Sequence, residues 1–217
     1  MRRSWSLPTH YRWIFQLLLV AMAATAACSF SVKAIDRPMA EFINANVRLE
    51  WLLTARILDA GSILIPFFLL FVLIFHYIIT GESTRPRNRI IALVVSVSVA
   101  ILCVEIVKVT FCRVNVREYL TVGAYGFRYP AFANNPDLSS FPSEYGAISG
   151  TIAASLCKMI PSYRPTITLL VVILTGGQLV TGTDFVSDIL SGLAIGISSF
   201  LVVGQLFSFI KIRAASG

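Results

Sequence analysis

Charge is scarce in this 217-residue chain: Asp, Glu, Lys and Arg together make up 13%, against 56% hydrophobic residues. A water-soluble fold needs a charged exterior, and a mean hydropathy of +0.78 leaves too little to build one. Paired cysteines are also missing. Cys28, Cys103, Cys112 and Cys157 fall at irregular intervals, three of them in or beside apolar runs, so they read as small buried hydrophobes rather than a disulfide framework or a metal site. No internal repeat and no low-complexity tract interrupts the chain, and no polar stretch is long enough for a separate soluble domain. Acidic charge is nearly absent from one set of inter-span segments. There Glu82 stands alone among Arg2, Arg3, Arg12, Arg85, Arg87, Arg89, Lys158, Arg164, Lys211 and Arg213.

What is present is a series of apolar runs. A hydrocarbon core about 30 Å thick takes roughly 20 apolar residues per helical crossing. The sequence supplies six candidates, at about 13–32, 62–80, 90–111, 145–160, 166–180 and 185–210, the fourth being the weakest. The expected fold is therefore all-α: one six-span bundle over residues 1–217. The net charge of +7 then bears on topology, not on nucleic acid. Basic residues without acids mark the cytoplasmic side, which puts both termini in the cytoplasm of a bacterial-type inner membrane. The start, MRRSW followed by a run ending AATAAC, has the outline of a secretory signal but is read as a retained first span.

Two outer segments stand out. Residues 33–61 alternate apolar positions, Phe42, Val47, Leu49, Trp51, Leu52 and Ile57, with charges, a pattern expected of a helix lying on the membrane surface. Residues 112–144 form the longest loop, and Tyr119, Tyr125, Phe127, Tyr129 and Phe132 favour an ordered one. Gly146 and Gly150 in the fourth span, and Gly192 and Gly196 in the sixth, have the small-xxx-small spacing that lets two helices approach closely.

Polar residues gather at the outward ends of spans three, four and six. Lys108 and Arg113 end a span that also carries Glu105; Pro142-Ser143-Glu144-Tyr145 opens the fourth; Asp184 and Asp188, four apart, are expected on one helical face at the start of the sixth. These three islands resemble the signature motifs KxxxxxxRP, PSGH and SRxxxxxHxxxD of the type 2 phosphatidic acid phosphatase superfamily, the membrane lipid phosphate phosphatases and their vanadium haloperoxidase relatives. The resemblance covers essentially the whole chain in order and spacing, and implies six helices with the motifs at the non-cytoplasmic ends.

Residue by residue the resemblance is partial. Lys108 stands at the motif Lys and Arg113 at an accessory Arg, but Asn115 and Val116 replace Arg-Pro. Pro142 and Ser143 stand, while Glu144 and Tyr145 replace Gly-His; Gln178 replaces an Arg and Asp184 the last His, and Asp188 stands. In the family, by this resemblance, the Lys, the two Arg and the Ser hold phosphate, the last His attacks phosphorus under the guidance of the Asp, and the other His protonates the leaving oxygen. Here that nucleophile position is Asp184 and that acid position is Tyr145. Lys108, Arg113, Asn115, Ser143 and Gln178 remain as the substrate-binding set.

Several readings follow. A bland one makes Lys108, Asp184 and Asp188 ion pairs that hold helix ends together. A second is a pseudoenzyme that binds a lipid headgroup or polyprenyl phosphate, or supports a protein partner in envelope-lipid or polysaccharide synthesis. A third is a rewired phosphatase or phosphotransferase using Asp184 and Tyr145, with Glu144, Asp184 and Asp188 recruiting a divalent cation. A transporter would need a polar path through the bilayer, and the polar groups lie at one face. The favoured expectation is the pseudoenzyme, with no resident metal or cofactor.

Overall fold

The computed structural model describes residues 9–47, 84–128 and 140–216, with isolated positions between 53 and 79. Among the described residues, seven α-helices run in order: α1 Thr9–Ala34, α2 Asp36–Asn46, α3 Thr84–Thr110, α4 Val116–Val122, α5 Glu144–Met159, α6 Arg164–Thr181 and α7 Val186–Ser216. Four segments among the described residues are long and apolar enough to cross a membrane: Trp13–Ala34, Arg89–Thr110, Pro161–Thr181 and Val186–Ser208. The chain is a membrane protein, and the expected count of six spans is met only in part. The fourth expected span is helix α5, whose 16 residues fall short of a full crossing. The second, 62–80, lies outside the described residues apart from isolated helical positions, as do Leu49, Trp51, Leu52, Tyr129 and Phe132.

Local chemistry sets the helix ends that matter for the site. Ser143 caps α5, its Oγ accepting the Gly146 N–H at 3.1 Å, so Glu144 is the first helical residue. Asn115 caps α4 in the same way, its Oδ1 accepting the Glu118 N–H at 2.7 Å. α6 ends at Gly182, whose φ of 70° is a left-handed conformation that glycine adopts without a Cβ clash. The surface helix expected in 33–61 is represented by α2, which buries Asp36 and Ala40 on one side and leaves Phe42 63% exposed on the other.

α7 is the hub, packing against α1, α3 and α5. The expected contact between spans four and six is its tightest. A Cβ built on Gly192 would lie 2.2 Å from the Ser143 carbonyl oxygen, and one on Gly196 would lie 2.1 Å from that of Ala147. On the α5 side, a Cβ at Gly150 would fall 2.7 Å from the Leu193 oxygen. Thr151 then donates across the seam to the Gly196 oxygen at 3.1 Å. Around this seam, Leu93 and Val97 of α3 pack on Ile148 and Ile152, and Ala100 and Val104 pack on Ala147. A separate apolar cluster of Ala40, Val116 and Phe185, edged by Tyr119, Leu120 and Tyr125, caps the outer end.

The cysteine expectation holds in part: no disulfide joins the four, but only Cys112 is buried, the other three being half-buried. Glu105, expected to be buried by its span, does lie within Arg89–Thr110 but is corrected to an exposed position on α3, its side chain 54% accessible.

Because the seam is backbone against backbone, it has no side chain that can yield. Gly196→Leu is expected to cost about 3 kcal/mol or more, since overpacking a fixed contact forces the helices apart. Gly176→Ala, where a Cβ meets nothing within 4 Å, serves as the neutral control, and thermal unfolding of the detergent-solubilised proteins measures both.

Candidate functional site at the outer end of the bundle

The centre of the site is Arg113, which follows α3 and has no exposed surface. The segment carrying it folds back on itself: the Arg128 N–H donates to the Cys112 oxygen at 2.8 Å, and Arg113 pairs with Phe127 in an isolated antiparallel bridge. One terminal nitrogen of the guanidinium, Nη1, donates to Asp188 Oδ1 and Ser187 Oγ, each at 2.5 Å. The other, Nη2, donates to Asp36 Oδ2 at 2.7 Å and to the Tyr125 hydroxyl at 3.1 Å. The rings of Phe185 and Phe127, 4.4 and 5.2 Å from the guanidinium carbon, complete the enclosure.

Both carboxylates are as buried as the arginine, at 0–1% exposure, and each is further satisfied. Asp36 Oδ1 accepts the Ser31 hydroxyl at 2.8 Å and the Ser187 N–H at 3.0 Å, and its Oδ2 accepts the Ser187 hydroxyl at 2.5 Å. Asp188 Oδ2 accepts the Phe185 N–H at 2.9 Å, the reciprocal arm of a capping box at the start of α7. Burial by itself raises the pKa of Asp36, but hydrogen bonds from Arg113 and Ser187 and the arginine's charge outweigh it and hold the carboxyl below its ordinary value. For Arg113, burial works against the charge and the two aspartates more than restore it.

Lys108 is set apart from this cluster. It lies in the last turn of α3, with its Nζ 3.5 Å from Glu105 and 3.5 Å from Glu144. Glu105, three positions before Lys108, thus makes an ion pair with it, and Glu144 is the lysine's second partner. Ser143, 1% exposed, donates to Gln178 Oε1 at 3.3 Å, and its N–H donates to the Asp188 carbonyl at 3.0 Å. Gln178 is fully buried on α6, and its carbonyl accepts the Thr183 N–H at 3.1 Å. Tyr145 and Asp184 are half-buried.

The candidate residues therefore divide. Arg113, Asp188, Ser143 and Gln178 are interior groups with assigned partners, Asn115 is a helix cap, and Lys108, Glu144, Tyr145 and Asp184 are the accessible ones. The four-residue spacing of Asp184 and Asp188 does not place them on one helical face, because α7 begins at Val186 and Asp184 precedes it. The carboxylates of Glu144, Asp184 and Asp188 do not converge as a cation site either. Asp188 is turned to Arg113, and among the described residues no group of three His, Cys, Asp or Glu side chains is placed to hold a metal.

Sequence reasoning missed Asp36 and Ser187. The available signal was weak: an acid just after the first span, in the stretch Lys33-Ala34-Ile35-Asp36-Arg37, whose partner lies 77 positions away.

Removing one member of such a cluster strands a buried charge. Arg113→Met is expected to cost about 3–5 kcal/mol, and adding Asp36→Asn and Asp188→Asn to it is expected to recover part of that loss. The sign of the acid response follows from Asp36: its folded pKa lies below its unfolded one, so its contribution is complete above about pH 4 and is lost as pH falls through the folded value. Thermal unfolding between pH 6 and pH 3 should therefore show a decline that is shallower in Asp36→Asn.

Comparison with known proteins agrees with this geometry. The sequence profile of the PAP2 superfamily matches residues 89–211, which include the Lys108, Ser143 and Asp188 positions. A crystal structure described as the first transmembrane PAP2 type phosphatidylglycerolphosphate phosphatase from Bacillus subtilis superposes with a TM-score of 0.59 at 14% identity, covering 92% of this chain and 98% of that one. Comparison with curated proteins finds no significant match. With the profile spanning more than half of its length, and the fold shared from end to end, the chain belongs to the PAP2 superfamily.

Proposed function

We propose that this chain is a catalytically degenerate lipid phosphate phosphatase-like protein, whose outer site engages a lipid phosphate headgroup or polyprenyl phosphate without turning it over and so supports an envelope-lipid partner. The observation that carries this reading is the state of Arg113. A guanidinium that could clamp a phosphate has both terminal nitrogens committed to Asp36, Asp188 and their neighbours and has no exposed surface. The Asp36, Arg113 and Asp188 charges sum to one negative, so this cluster does not attract an anion. That leaves Lys108 as the accessible cation of the signature set, flanked by two glutamates.

Phosphoryl transfer depends on concentrated positive charge around the equatorial oxygens. Asn115 and Gln178 contribute none, Asp184 and Glu144 subtract from it, and the nucleophile and acid positions carry Asp184 and Tyr145 in place of histidine. These changes act on one catalytic unit, so their effects on turnover compound. Binding is a smaller demand, which Lys108 at the mouth of the site meets by exchanging a glutamate partner for a headgroup oxygen. The basic segments at the other end of the bundle favour an inner-membrane orientation with both termini cytoplasmic.

Purified protein supplied with phosphatidate or a polyprenyl diphosphate, with and without magnesium or manganese, is expected to release no phosphate above a protein-free control. It should nevertheless retain phosphatidate better than the Lys108→Gln variant does, by about fivefold, the order of one surface cation. Robust release abolished by Asp184→Asn would establish the rewired enzyme in place of this reading.

A further inference from the structure

At the end of the bundle opposite Lys108, the start of α3, the end of α5 and the last turns of α7 enclose a cavity of about 340 Å³. Its lining includes Arg89 and Lys158, the hydroxyl of Ser155, the rings of Phe200 and Phe207, and Gly204, with no carboxylate among the described residues. Arg89 opens one membrane-spanning segment and Ser208, also in the lining, closes another, so the cavity sits at the membrane–water boundary. A span of 22 residues at 1.5 Å per residue places it about 30 Å from the site around Arg113. The two sites share no residue.

The chemistry of the lining is two-sided. Arg89 and Lys158 are exposed cations at the water side, and Lys158 Nζ stands 5.4 Å from the centroid of the Phe200 ring, held beside an apolar wall. Ser155 is 4% exposed, and its hydroxyl faces the Met159 sulfur at 3.9 Å, a weak acceptor that a stronger one displaces readily. A free inorganic anion has no use for the phenylalanines, and a neutral lipid has no use for two cations. A ligand that uses both carries an anionic head and a hydrocarbon tail.

We propose that this cavity binds the phosphodiester headgroup of an anionic phospholipid between Arg89 and Lys158, with an acyl chain lying along Phe200 and Phe207. Basic pockets between spans at the membrane surface recognise anionic lipids in this way, each cation contributing a several-fold gain. The inference stands independently of any activity at the outer end.

The test is retention of lipid by the full chain. Protein purified in detergent with phosphatidylglycerol or phosphatidylcholine is analysed for co-purifying lipid by native mass spectrometry. Phosphatidylglycerol should be retained in preference to phosphatidylcholine, and Arg89→Gln with Lys158→Gln should reduce its retention about 20-fold. Arg164→Gln, a cation at the same end that does not line the cavity, should leave retention unchanged. Gly204→Leu provides a second arm that keeps both charges: a Cβ at Gly204 meets nothing within 4 Å, so the side chain fills the cavity without moving the backbone and should also expel the lipid. Equal retention of the two lipids, an unchanged double variant, or displacement of the lipid by millimolar inorganic phosphate would each overturn the proposal.

Discussion

Burial of one arginine organises the end of the bundle where the first span meets the last. Arg113 sits between Asp36, at the start of α2, and Asp188, in the first turn of α7, and so fastens the end of the first span to the start of the last. Taking three charges out of water is costly, and attraction between them offsets that cost only when geometry and hydrogen bonding are nearly complete. The surroundings meet that condition closely. Ser31, Ser187, Tyr125 and the Phe185 N–H each occupy a position that would otherwise leave an oxygen or nitrogen unsatisfied, and among the described atoms of the cluster Arg113 Nε alone lacks a partner. The chain from Cys112 to Phe127 is folded back by the same requirement, since Tyr125 and Phe127 both close over the guanidinium.

This arrangement decides what the site can do. A phosphate reaching Arg113 would have to displace two carboxylates that are already desolvated and oriented, and stranding either one inside the protein costs several kcal/mol. What remains reachable is Lys108 with its glutamates, together with Tyr145 and Asp184. That set holds one cation against three carboxylates, a balance that does not concentrate the positive charge a transferring phosphoryl group requires.

The parts of the fold legible in the sequence are those written in local patterns. Glycine spacing located the α5–α7 seam, Ser143 marked the start of α5, and apolar length found the spans that the structure describes well. The site was legible as a set of positions but not as a set of roles. Asn115 reads in sequence as the remnant of a phosphate ligand and in the structure is the cap of a seven-residue helix. Asp184 and Asp188 read as one helical face until the helix start is seen at Val186. Asp36 gave no usable signal, because the property that distinguishes it is its distant partnership with Arg113, and pairing across such separations leaves no periodicity in a single sequence.

The same geometry explains why framework letters and chemical letters in one motif can part company. Ser143 carries the helix cap, its carbonyl lies against Gly192, and its N–H holds the Asp188 carbonyl, so replacing either Ser143 or Gly192 disturbs the seam on which α7 is seated. Glu144 and Tyr145, one and two positions on, are half-buried, and Glu144 pairs with Lys108 rather than with α7. Charge and acid–base character at those two positions therefore belong to the mouth of the site, while the adjacent serine and the opposing glycines are held by packing. A histidine placed at position 145 or 184 would stand at the half-buried mouth, whereas an arginine placed at 178 would bury a cation beside Ser143, where desolvation weighs most.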